Sequence, residues 1–205
     1  MRGTMRAESA NGTPAEGPCR VAVLGAGSWG SALAMQLARN GAPCILWARD
    51  PAHVAALREA GANERFLPGI AFPGGIRFTD RIEDAVTAAD EILLAVPSHA
   101  FDDLLARVAP ALRDDQGVTW ATKGLQPGTG RFLHEAAQHS LGESRPLAVV
   151  TGPSFAVEVA RGLPTAVTVA GTDPDYVQRM AQALHGGSFR VYTSSDIVGA
   201  ELGGA

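Results

Sequence analysis

Val21-Ala22-Val23-Leu24-Gly25-Ala26-Gly27-Ser28-Trp29-Gly30 is the stretch on which the fold turns. Its first four residues read as a short buried strand, and Trp29–Arg39 carries apolar residues at helical spacing until Gly41 stops it. Three glycines alone would say little, but between a strand and a helix they are specific for a phosphate-binding turn. Gly25 permits the tight turn, Gly27 lets the backbone approach a pyrophosphate, and Gly30 lets the helix pack on the sheet. The helix start presents unpaired N–H groups and a partial positive charge, and Ser28 and Trp29 can add contacts there. The competing reading is a purely structural glycine turn.

Outward from this turn, short apolar runs alternate with helical patterns. Cys44–Ala48 is a second strand, followed by a helix over about Pro51–Ala60 with proline in its first turn. A loop rich in Gly and Pro fills 61–75, before a strand at Ile76–Phe78 and a helix at Arg81–Ala88. Glu91–Val96 is a strong strand, and Ser98 is the expected N-cap of a helix reaching Leu112. Val118–Thr122, Leu147–Val150, Ala166–Ala170 and Phe189–Tyr192 read as later strands, with helices near Gly130–Gln138 and Pro174–Leu184. This alternation predicts an α/β domain over 19–192: a Rossmann-type, doubly wound, mostly parallel sheet with helices on both faces. The near-continuous run Ile92-Leu93-Leu94-Ala95-Val96 fits burial on both sides.

Composition narrows the function classes. Of 205 residues, 46% are hydrophobic and 19% charged, the balance of a soluble globular chain. The net charge of −4 gives no general attraction to nucleic acid or to an anionic membrane, so neither partner is expected. No apolar run approaches the roughly 20 residues of a membrane span. Residues 1–18 lack the apolar core of a secretory signal, carry a second methionine at Met5, and read as a disordered extension. Cys19 and Cys44 sit at the starts of neighbouring strands and read as two buried thiols in a reducing cytoplasm, with a bond between them as the alternative. His53, His99, His134, His139 and His185 are scattered, and no metal site is expected.

Other positions offer chemistry at strand ends. In Trp47-Ala48-Arg49-Asp50 an arginine stands where an NAD site usually offers an acid to the ribose hydroxyls. A guanidinium suits a 2′-phosphate, so NADPH is the expected cofactor, with NADH allowed by the adjacent Asp50. A solvated strand-end arginine is the alternative. Ala121-Thr122-Lys123-Gly124 places a lysine at the carboxyl edge, where an ammonium can hold a phosphate or orient a carbonyl; a solvated charge explains it equally well. In Thr151-Gly152-Pro153-Ser154-Phe155-Ala156, Gly152 allows close approach and Ser154 offers a hydroxyl and an N–H near a helix start, although capping alone also accounts for Ser154. His99 reads as a loop histidine.

In this order the motifs resemble the bacterial NAD(P)-dependent glycerol-3-phosphate dehydrogenases. The matching stretches are Gly25-Ala26-Gly27-Ser28-Trp29-Gly30, Phe66-Leu67-Pro68, Val96-Pro97-Ser98-His99, Trp120-Ala121-Thr122-Lys123-Gly124-Leu125, Gly152-Pro153-Ser154-Phe155-Ala156, Gly162-Leu163-Pro164-Thr165-Ala166 and Leu202-Gly203-Gly204-Ala205. The resemblance implies reversible hydride transfer between a nicotinamide and C2 of dihydroxyacetone phosphate, giving sn-glycerol 3-phosphate for phospholipid synthesis. It implies cofactor contacts at Ser28, Trp29, Arg49, Lys123 and Ala156, and substrate contacts at Lys123, Gly152 and Ser154.

The same resemblance puts the catalytic lysine, the general acid, about two residues beyond Ala205, so no catalytic residue is expected within the chain. Residues 193–205 are then the opening of a helical substrate domain, this chain is the cofactor half and inactive alone, and the longer enzyme is compatible with a homodimer. Two rivals share the first fingerprint: another dehydrogenase of the 6-phosphogluconate or 3-hydroxyacyl-CoA group, and a non-catalytic NADPH-sensing module.

Overall fold

A computed structural model describes residues 19–204; the extension expected over 1–18 lies outside the described residues. The turn-bearing strand β1 (Val21–Leu24) and helix α1 (Ser28–Arg39) are followed by β2 (Cys44–Trp47) and α2 (Pro51–Ala60). Next come β3 (Ile76–Thr79), α3 (Ile82–Thr87), β4 (Glu91–Leu94), α4 (Phe101–Val108), β5 (Val118–Trp120) and α5 (Leu133–Leu141). The chain continues through β6 (Leu147–Thr151), α6 (Ala156–Ala160), β7 (Thr165–Gly171), α7 (Pro174–Leu184), β8 (Phe189–Ser194) and α8 (Ile197–Gly204).

The eight strands form one sheet in the order β3-β2-β1-β4-β5-β6-β7-β8, parallel except for the antiparallel pair β6–β7. Strand order reverses between β1 and β4, which pair with Val21 opposite Glu91 and Leu24 opposite Leu94. That reversal opens a crevice at the carboxyl ends of the strands, the place where such sheets bind ligands. Because the pair is antiparallel, β7 begins at the end of the sheet where β6 stops, with α6 lying in the connection between them.

Alternate strand residues feed two cores. Val21 and Val23 pack with Leu33 and Leu37 of α1, Val54 and Leu57 of α2, and Tyr176, Met180 and Leu184 of α7 on one face. Ala22 and Leu24 pack with Ile82 of α3, Phe101 and Leu105 of α4, Trp120 and Leu133 on the other. Both faces are covered, which is why the strands read as continuous apolar runs.

Three local expectations are corrected. Ser98 does not cap a long helix: Ser98–Ala100 form a 3₁₀ turn without a side-chain cap, α4 begins at Phe101, and Pro110 breaks the helix into a second 3₁₀ turn at Ala109–Ala111. Helix α5 starts at Leu133 rather than Gly130, because Gly128 and Gly130 adopt φ of 81° and 69°, which a right-handed helix does not use. Cys19 is half-buried and precedes β1, while Cys44 is buried in β2; both thiols are free. Among the described residues no helix is long and apolar enough to cross a membrane, and no group of three or more His, Cys, Asp or Glu could hold a metal ion.

Candidate functional site

The glycine turn is shaped by backbone proximity. Gly25 takes φ 127°, its N–H donates to the Trp47 carbonyl (3.0 Å), and a Cβ there would overlap the Ala95 carbonyl from β4's end. A Cβ on Gly30 would overlap the carbonyl oxygen of Gly25, so α1 crosses its own turn in contact with it. Gly27 differs: a Cβ there meets nothing within 4 Å. Gly27 is also the N-cap of α1 and supplies no side-chain cap, while the first intrahelical bond runs from Ser31 N to Gly27 O (3.0 Å). The N–H groups of the first turn are therefore left for an outside acceptor.

Two adjoining cavities share Gly27, Val96 and Pro97 at this point. The first, about 350 Å³, is lined by Ser28 and Trp29 of α1, Lys123 beyond β5, and Ser154, Phe155 and Ala156 at the start of α6. Lys123 is exposed, and beside it the buried Thr122 hydroxyl donates to the Val96 carbonyl (2.8 Å), tying the ends of β4 and β5 together. The Ser154 hydroxyl donates to the Gly152 carbonyl (3.3 Å) rather than capping α6, whose N-cap is Phe155. Trp29 lines this cavity, and its Nε1 is buried without a partner among the described residues. The ring of Phe155 is 71% exposed at the cavity's lip.

The second cavity, about 640 Å³, is lined by Gly25, Arg49, Asp50, Arg65, Phe66 and Arg107 among others. Arg49 makes no ion pair among the described residues. Its neighbour Asp50 is committed locally, accepting from Ala52 N (2.9 Å) to cap α2. Arg107 lies over the Trp47 ring at 5.2 Å, and Arg65 over Phe66 at 5.0 Å, so aromatic faces hold both guanidinium groups in place.

One crevice thus brings together Gly25, Gly27, Ser28, Trp29, Arg49, Lys123, Ser154 and Ala156, with Gly30 packed behind the turn. Gly152 lies apart from the Lys123 cavity. It lines a neighbouring, hydroxyl-rich hollow with Thr151, Thr168 and Tyr192, and close approach explains the glycine: a Cβ would sit 2.8 Å from Ala166 O. His99, read as a loop histidine, lines the second cavity from the 3₁₀ turn.

Sequence reasoning missed Asn63, His53, Arg65 and Arg107. Only the Phe66-Leu67-Pro68 stretch hinted that the loop after α2 reaches the site. Neither cysteine lines the two cavities. Burial, helped by the negative charges of Glu91 and Asp90, pushes the Cys19 thiol up to about 12, and burial alone raises Cys44 further.

Comparison with known proteins adds independent findings. A family model described as NAD-dependent glycerol-3-phosphate dehydrogenase N-terminus matches residues 20–177. A protein of Stenotrophomonas maltophilia (strain R551-3) named glycerol-3-phosphate dehydrogenase (NAD(P)+) is 56% identical over 186 residues, covering 91% of this chain and 54% of that protein. A namesake from Xanthomonas campestris pv. campestris (strain B100) is 55% identical over the same shares. The chain spans about half the length of these relatives. The crystal structure of glycerol-3-phosphate dehydrogenase from Coxiella burnetii superposes with a TM-score of 0.86 at 40% identity, covering 91% of this chain and 57% of that one. The yeast enzyme, at 22% identity and TM-score 0.82 over 92% of this chain and 60% of its own, shares the fold.

Proposed function

The chain belongs to the NAD-dependent glycerol-3-phosphate dehydrogenase family, and from that membership we propose that it is the cofactor-binding part of an enzyme interconverting dihydroxyacetone phosphate and sn-glycerol 3-phosphate. The observation that carries this reading is the cavity that brings Lys123 and Ser154 up to the first turn of α1. In the reducing direction the product feeds phospholipid synthesis, and the free thiols suit a cytoplasmic setting.

The residues fit a nicotinamide dinucleotide. Gly25 and Gly30 fold the turn tightly, Gly27 leaves its cradle open, and the first-turn N–H groups of α1 would hold a pyrophosphate beside Ser28 and Trp29. Ala156 completes the wall of the first cavity. Arg49 takes the 2′-phosphate of NADPH in preference to NADH, a reading supported by the lack of an ion pair at Arg49 among the described residues and by the capping duty of Asp50. When bound, the cofactor supplies or accepts the hydride exchanged with C2 of the substrate.

The chain's own part is to bind and orient. Lys123 is a compact charge on a flexible stem, placed to hold the substrate's oxygen or phosphate against the cofactor side of the cleft. Ser154 orients the polyol from the turn before α6, and Gly152, whose carbonyl accepts from the Ser154 hydroxyl, supports it from the neighbouring hollow. Reduction at C2 also requires a proton for the new alkoxide, and we assign that proton to a residue outside 1–205. Two observations support this. Relatives carry nearly as much chain again, and α8 leads Gly204 against Thr151 at the end of β6, beside the cleft. On this reading residues 193–205, which hold the last residues of β8 and then α8, open the helical part that completes the substrate site.

The test is a titration of the chain's tryptophan fluorescence with NADPH, with and without dihydroxyacetone phosphate. Saturable binding, altered by the ketose phosphate, is expected. No binding up to millimolar NADPH would overturn the reading.

A further inference from the structure

Asn63 lies in the loop after α2, outside every motif described above, and is completely buried. Its Nδ2 group donates both hydrogens across the fold: one to the carbonyl of Ala26 inside the glycine turn (3.0 Å), the other to the Ser31 hydroxyl on the first turns of α1 (2.7 Å). The amide orientation follows from chemistry, because a carbonyl can only accept; Oδ1, on the other side, is buried without a partner among the described residues. His53 Nε2 donates to the same Ala26 carbonyl at 3.2 Å. On its backbone side, the Asn63 carbonyl accepts from Phe66 N (3.1 Å) and Leu67 N (2.7 Å), and this turn sets Arg65 and Phe66 on the wall of the second cavity.

We propose that Asn63 is a positioning residue for the dinucleotide, clamping the Gly25–Gly30 turn to the loop that carries Arg65 and Phe66. This rests on the cofactor-binding reading given above. A phosphate-binding turn must present N–H groups and keep carbonyl oxygens away from the anion. The Ala26 carbonyl is the one such oxygen in the turn claimed by two side-chain donors from α2 and the loop after it. Tying Ser31 as well holds the start of α1 in register with that carbonyl. One buried amide therefore sets the angle at which the helix N-terminus meets the pyrophosphate, and positions the opposite wall by its backbone.

The experiment compares the unaltered chain with Asn63→Asp by fluorescence titration at pH 7.5 and pH 5.5, using NADPH and adenosine 2′-monophosphate. A carboxylate at 63 turns an acceptor and a negative charge toward the Ala26 carbonyl. The expected result is at least a tenfold loss of NADPH affinity at pH 7.5. At pH 5.5 affinity should recover several-fold, since burial favours the protonated acid and its O–H can donate to Ala26. Adenosine 2′-monophosphate lacks the pyrophosphate and should lose less than threefold; a general loosening of the fold would weaken both ligands equally and show no recovery.

Equal NADPH affinity in Asn63→Asp and the unaltered chain, or equal losses for the two ligands, would overturn the inference alone. Absence of NADPH binding by the unaltered chain would overturn the functional reading and this inference with it. If Asn63→Asp does not fold at pH 7.5, Ser31→Ala decides: it removes one anchor of the amide, a threefold or greater loss of NADPH affinity supports the clamp, and no loss overturns it.

Discussion

Glu201 of α8 reaches across to His134 of α5, its Oε2 lying 2.6 Å from the ring Nδ1. The same carboxylate accepts from the backbone N of His134 (3.1 Å) and from Nε1 of the buried Trp120 (3.2 Å). Glu201 is the buried residue of an otherwise exposed or half-buried helix, so its polar bonds fasten α8 to the sheet beside the apolar packing of Ile197 and Ala200. Truncation to Ala strands the indole and imidazole donors in the core. Glu201→Ala should lower unfolding free energy by about 3 kcal/mol, a fall in Tm of roughly 6–12 °C for a domain of this size. Glu201→Gln, which keeps an acceptor, should lose clearly less. Equal losses in thermal melts would mean that the acceptor is unimportant.

Gly27 and Gly30 separate binding from folding. Gly30→Ala drives a methyl into the Gly25 carbonyl and should unfold the domain or collapse its melting temperature. Gly27→Ala has open space around its Cβ, so stability should stay within about 0.5–1 kcal/mol while NADPH affinity falls at least about tenfold, near 1.4 kcal/mol. Unchanged affinity in a stable Gly27→Ala chain would remove the pyrophosphate from this turn.

Arg49→Asp should reverse the cofactor preference. The change removes a bidentate partner for the 2′-phosphate and places an acid at the strand end, where ribose hydroxyls can donate to it. The ratio of NADPH to NADH affinities is the quantity to measure, and an unchanged ratio would point instead to Arg65 or Arg107 on the same cavity.

Lys123→Met keeps the length of the stem and removes its charge. Dihydroxyacetone phosphate should then no longer alter the NADPH titration, while NADPH alone binds several-fold more weakly. A full ketose phosphate response in this variant would place the substrate away from Lys123.

Stability should fall in alkali. Cys19 is raised from 9.0 to about 12, chiefly by burial and then by Glu91 and Asp90; burial raises Cys44, and burial with Glu91 raises Tyr176 well above 10. These groups keep protons in the folded state that the unfolded chain sheds, so the stabilisation is complete below about pH 9 and is lost as pH climbs from 9 towards 12. Urea midpoints should drop between pH 8 and pH 10.5, and the drop should shrink in Cys19→Ser. An equal drop in that variant would assign the effect to other groups.

Much of this molecule is legible because its signals are local. Strand apolarity, helix spacing and the three glycines act within a few residues of one another, and they lead to the doubly wound sheet and its phosphate-binding turn. Proline placement is equally local: α2 and α7 begin at Pro51 and Pro174, as their sequences predict. What stays illegible depends on neighbours in space rather than in sequence. The apolar run of β7 reads the same in either direction, and only its pairing with β6 shows it to be antiparallel. Ser98 and Ser154 look like caps, yet neither hydroxyl caps the helix that follows it.

The fold class, the glycine turn at Gly25–Gly30 and the strand-end positions of Arg49 and Lys123 are readable from the chain alone, because each depends on periodicity or on a residue's own backbone freedom. What Asn63 and Glu201 do is settled only by the packed fold. Asn63 meets Ala26 across 37 residues and Glu201 meets Trp120 across 81. A buried polar side chain takes its partner from whichever strand or helix the topology delivers beside it, and no local pattern encodes that choice.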